Sequence, residues 1–70
     1  MDELILRAAR EIGLGSHISV APFDGFDPLV TIAVPRRAVQ GRIPVRYLME
    51  PSLDQVKTIL RDLSRYVGMN

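Results

Sequence analysis

Leu29-Val30-Thr31-Ile32-Ala33-Val34 is a run of six residues with no charge, rich in β-branched side chains and close to apolar on both faces. Such a run suits a central strand, paired on both sides and covered on at least one face. Two weaker β-like runs flank it. Residues 17 to 22 (His-Ile-Ser-Val-Ala-Pro) place Ile18 and Val20 on one face, and Pro22 limits the run. Residues 43 to 49 set Ile43, Val45, Tyr47 and Met49 against Pro44, Arg46 and Leu48, with Pro44 marking an edge. Asp24-Gly25 and Asp27-Pro28 supply turn chemistry before the central run, and Gln40-Gly41 supplies it after. Residues 35 to 41 read either as a hairpin loop or as one helical turn opening at Pro35 and closing at Gly41.

Outside these runs the period changes from two to 3.6. At roughly 100° per residue, Met1, Leu4, Ile5, Ala8, Ala9 and Ile12 share one arc of a first helix. Asp2 favours its positive end, and Gly13 with Gly15 ends it. Glu3, Arg7 and Glu11 form i,i+4 pairs on the opposite face, and Leu6 falls outside the apolar arc. The last helix is read from Leu53, Val56, Ile59, Leu60, Leu63, Tyr66 and Val67, which form one continuous arc before Gly68. Ser52 and Gln55 have the spacing of a capping box, with Pro51 just outside. The expected fold is therefore a single α+β domain over residues 1 to 70, in the order αβββα. It is a three-stranded antiparallel meander with two helices packed on one face.

The chain has 70 residues, a formal charge of +1 and no cysteine, so neither a disulfide framework nor a cysteine-based zinc site supports it. It has no apolar run near the roughly 20 residues of a membrane-spanning helix and no secretory signal pattern at its start, so a cytoplasmic, non-membrane protein is expected. Catalytic equipment is sparse. His17 is the one histidine, Ser16, Ser19 and Ser64 stand in no Gly-x-Ser-x-Gly elbow, and Gly13-Leu14-Gly15 follows a helix rather than a strand. Asp24 and Asp27 are too few for calcium, which takes six to eight oxygens. No enzyme activity, metal or small-molecule cofactor is expected.

What remains is surface. Residues 1 to 27 carry −3, residues 28 to 49 carry +4 with no acid, and residues 50 to 70 are neutral. The basic stretch consists of Arg36, Arg37, Arg42 and Arg46, whose planar forks suit carboxylate or phosphate. Lys57, Arg61 and Arg65 follow at i, i+4 and i+8 along the last helix, with Asp54 and Asp62 three residues before Lys57 and Arg65. This reads as a solvated face, with an anion-binding ridge as the alternative. Phe23, Asp24 and Phe26 gather aromatics and an acid in one turn, a composition that suits a protein contact. Leu6 and an outer sheet face of Leu29, Thr31, Ala33 and Leu48, or of their alternates, add apolar surface that a partner would cover.

The αβββα order resembles that of double-stranded-RNA-binding domains. Pro51-Ser52-Leu53-Asp54-Gln55, however, places an acid where their basic cluster opens the last helix. The favoured reading is a non-catalytic interaction protein, an adaptor, inhibitor or accessory factor, acting on another protein or as a homodimer. The alternative is a small nucleic-acid-binding or regulatory protein that uses the arginine-rich stretch.

Overall fold

A computed structural model describes residues 2 to 22, 25, 27 to 50 and 52 to 68, with nothing described of the Asp2 side chain. The order is α1 (Asp2–Glu11), β1 (Ile18–Val20), β2 (Leu29–Val34), β3 (Arg37–Arg42), α2 (Arg46–Met49) and α3 (Leu53–Arg65). The strands form one antiparallel sheet in the order β1-β2-β3, so the expected meander and its central strand are present. Phe23, Asp24, Phe26 and Pro51 lie outside the described residues.

The core follows from the two helical arcs. Ile5, Ala8 and Ala9 of α1 and Val56 and Leu60 of α3 are fully buried, as are Val30, Ile32 and Ile43. Ala8 and Ala9 are small, which lets α1 and α3 pack closely. The end of α1 is a Schellman motif. Gly13 takes φ +84°, Leu14 N–H donates to the Ala9 carbonyl at 2.7 Å and Gly13 N–H to the Arg10 carbonyl at 3.2 Å. Leu14 then turns back into the core, 4% exposed, as the hydrophobic contact of such a cap requires. Gly68 closes the turn after α3 in the same left-handed conformation, φ +79°.

Strand β1 is short, but its pairing reaches one residue further at each end. Ala33 N–H donates to the His17 carbonyl and Ala21 N–H to the Leu29 carbonyl. Pro22, with no N–H, cannot extend the ladder.

The third strand departs from expectation. Residues 35 to 41 are neither a loop nor a helical turn: Pro35-Arg36 alone make the turn, and Val34 pairs with Arg37. The strand therefore begins six residues earlier than the run at 43 to 49 suggests, and Gln40-Gly41 lie inside it rather than in a turn. The last rung is Ile43 N–H to the Pro28 carbonyl, 3.0 Å. Pro44 then ends the strand, having no proton to donate and a fixed φ suited to a first helical turn. Residues 46 to 49 coil into α2, with Leu48 and Met49 both donating to the Val45 carbonyl.

Three smaller expectations also change. Leu48 lies on no sheet face; with Tyr47 it packs against the helical side of the core. Tyr66 is outside the buried arc of α3, at 73% exposure. Ser52 caps α3 by position, but its side chain makes no capping bond, so the capping box does not form.

Candidate functional site

The sheet has two unlike faces. One holds Ile18, Val20, Val30, Ile32, Val34 and Val39, all in or against the core beneath the helices. Gly41 completes it: a Cβ there would lie 2.7 Å from Leu63 Cδ2, so any larger residue requires the Leu63 side chain to shift.

The other face is fixed by the same register. Thr31 pairs with Ser19 on one side and Gln40 on the other, Ala33 pairs with Ala38, and Leu29 pairs with Arg42. The rungs at His17 and Ala21 complete three rows: His17–Ala33–Ala38, Ser19–Thr31–Gln40 and Ala21–Leu29–Arg42. In the middle row Gln40 Nε2 donates to Thr31 Oγ1 at 3.2 Å. None of these residues belongs to the core or its packed margin. Of the presumed outer residues, Leu29, Thr31 and Ala33 are here. The surface is smaller in its side chains and more polar than a purely apolar patch, yet only Arg42 on it is always charged.

Strand β3 is also an edge. The Ile43–Pro28 rung shows that Arg37, Val39 and Gly41 turn their backbone polar groups toward β2. Ala38, Gln40 and Arg42 therefore point theirs outward. Among the described residues no backbone or side-chain group bonds to them.

The four arginines of residues 28 to 49 do not form one cluster. Arg36 and Arg37 sit exposed at the hairpin tip, and Arg42 stands at the other end of β3, about 17 Å away at about 3.3 Å per residue. Arg42 Nη1 donates to the Asp27 carbonyl oxygen at 2.6 Å, while Asp27 Oδ1 accepts from Val45 N–H at 3.1 Å, stitching the start of β2 to the start of α2. Arg46 folds over its neighbour, its guanidinium carbon 4.9 Å from the Tyr47 ring centroid and Nη2 donating to the Tyr47 hydroxyl at 3.1 Å.

The ridge on the last helix is divided too. Lys57 does not pair with Asp54; its Nζ lies 2.9 Å from Glu11 Oε1, joining α3 to α1, with its side chain 18% exposed. Arg7 Nε meets the other oxygen of Glu11 at 3.0 Å. These two cations hold the Glu11 carboxyl below its ordinary range, Lys57 contributing most. Arg65 pairs with Asp62 at 3.5 Å as its spacing suggests, and Arg61 is exposed.

Of the remaining candidates, Leu6 is half-buried and outside the core, while Met49, on α2, is 73% exposed. Ser64 is buried and donates to the Arg61 carbonyl at 2.7 Å within its own helix. Among the described residues, no group of three or more His, Cys, Asp or Glu side chains is placed to hold a metal ion. None of the described helices is long and apolar enough to cross a membrane. Comparison of the chain with protein-family models, curated proteins and solved structures gave no match.

Proposed function

We propose that this chain is a small non-catalytic interaction protein that docks a protein partner, or a second copy of itself, on the open side of its sheet. The observation that carries the reading is the composition of the outer face. A solvated antiparallel face usually shows polar side chains throughout. Here the three rows are Ala, Ser, Thr, Gln, His and Leu, with one arginine at a corner. A partner that hydrogen-bonds the neutral polar groups can cover this surface, and its alanines, serine and threonine lose little rotamer entropy on contact.

The test is capture from native lysate combined with light scattering, using the wild-type chain and Thr31→Lys. The substitution puts a charge at the centre of the face without touching the core. The expected result is a specific protein partner, or a dimer, that Thr31→Lys loses and nuclease treatment leaves unchanged. A wild-type chain that is monomeric and captures no protein would contradict the reading.

A second reading, nucleic-acid binding, draws on Arg36 and Arg37, which are exposed at the hairpin tip and have no ion pair among the described residues. It predicts binding to DNA or RNA that weakens with salt at a log–log slope of about −0.9 per phosphate neutralised. Absence of a gel shift at low salt removes it.

A further inference from the structure

The outer face leaves open what kind of partner it receives, and size narrows the answer. Three strands at about 4.8 Å spacing and about 17 Å of strand length give a footprint of only about 250 Å². A stable protein interface covers about 800 Å² per partner, a large share of a molecule exposing 4690 Å² in all. Packing on the flat face alone is therefore insufficient, and the missing affinity must come from stronger interactions at its border. The free main chain of β3 offers them: Ala38, Gln40 and Arg42 present N–H donors and C=O acceptors outward. Adding a strand to such an edge supplies main-chain hydrogen bonds, with side chains setting specificity.

Charge selects the occupant. The edge lies between Arg36 and Arg37 at one end and Arg42 at the other, and β3 itself holds no acid; Asp27 adjoins the Arg42 end, where its carboxylate is engaged by Val45 N–H. A second copy pairing along β3 would bring its own arginines to the same border, a like-charge juxtaposition that disfavours association. Arg42 spends one donor on the Asp27 carbonyl, leaving further N–H groups for a carboxylate.

We infer that β3 is a docking edge for an extended acidic segment of another protein, which adds as a fourth strand and sets carboxylates against Arg37 and Arg42. Arg37 and Arg42 stand five positions apart and, by the pleat, on opposite faces. The segment recognised therefore carries two acids with that same five-position offset. The inference rests on the protein-docking reading above and specifies its partner.

The probe is a short threonine-valine peptide bearing two glutamates five positions apart. Three companions go with it: one with glutamines for the glutamates, one with alternate amides N-methylated, and an oligothymidylate of similar length. Binding is read by anisotropy and by ¹⁵N shifts of the wild-type chain. The glutamate peptide should bind at least about 10-fold tighter than the glutamine or N-methylated peptide, a difference of about 1.4 kcal/mol. Its shifts should concentrate at Ala38, Gln40 and Arg42. Gln40→Pro removes an outward N–H at a position where an edge strand tolerates proline, and should weaken binding by a similar factor. The N-methylated peptide tests the same ladder on the unaltered protein, should that variant not fold.

No binding of the glutamate peptide, equal binding of all three peptides, or preference for the oligothymidylate at this edge would overturn the inference. So would concentration-dependent shifts at the same residues without peptide, which would mean self-pairing. If the peptide fails while Thr31→Lys still loses a captured protein, the acidic-strand inference falls and the docking reading stands. If both fail, both fall.

Discussion

Val30 and Thr31 are adjacent on β2, yet they belong to different environments. Val30, with Ile32, is completely buried beneath the helices, whereas Thr31, with Ala33, lies outside the core and bonds only across its own sheet to Gln40. Strand propensity does not separate Val30 from Thr31, since both are β-branched. What separates them is the layer above. α1 and α3 seal one face, where the strands turn branched side chains inward, and the other face is left with a mixture of small and polar ones and a single arginine. The first face is organised for stability and the second, on our account, for contact.

The largest expected effect comes from cutting into the sealed face. Ile32→Ala should cost about 2–5 kcal/mol through lost transfer energy and a cavity, read by urea denaturation. Thr31→Ala, one position away, should cost no more than about 1 kcal/mol, from a weaker strand former and the lost Gln40 hydrogen bond. Comparable losses at both positions would mean that the outer face is packed as well, and the contrast would fail.

Next is the contact at which β3 meets α3. Gly41→Val should cost about 1–3 kcal/mol by overpacking, because any Cβ there meets Leu63. Combining it with Leu63→Ala should recover part of the loss, a coupling that a double-mutant cycle measures. Simple additivity would show that the two residues do not share the space.

A smaller effect is expected at Gly13, which holds φ +84° in the cap of α1. Gly13→Ala should lower stability by about 1 kcal/mol through backbone strain alone. No atom would obstruct the new methyl group.

The smallest effect is at the exposed Glu11 bridge between α1 and α3. Its carboxyl is held below the ordinary value of 4.5 by Lys57 and then Arg7, so its contribution is present above that value and is lost as pH falls through the lower folded value. Glu11→Gln should therefore lower the thermal midpoint slightly at neutral pH. The gap to wild type should close as the pH drops below 4.5. A gap independent of pH would remove the ion pair as its cause.

Much of this fold was legible because it depends on local periodicity. The arcs of α1 and α3, the uncharged run of β2 and the glycines after both helices each carry a strong signal within a few residues. β3 carries almost none. Arg37-Ala38-Val39-Gln40-Gly41-Arg42 has one β-branched residue, and its Gly41 looks like a turn until Leu63, 22 positions away, is seen to occupy the space above it. Pro44 through Met49 alternates like a strand, but Pro44 at the front and Pro51 just beyond are also the punctuation of a short helix. Period alone cannot decide between these readings over so few residues.

The acid-free arginine stretch was equally legible as composition. Its division between two ends of one strand was not, because that depends on where β3 starts. The Lys57 partner was hidden for a related reason: Asp54 is its neighbour in sequence, but Glu11 is its neighbour once α1 lies against α3.

If the open face of the sheet is a contact surface for protein, a charge at its centre must cost the partner and little else. The most direct test measures partner capture and denaturation midpoint on the same samples of wild type and Thr31→Lys. The variant should lose the partner, or the dimer, while its stability changes by no more than about 1 kcal/mol. A variant that keeps both its stability and its partner would contradict the docking reading.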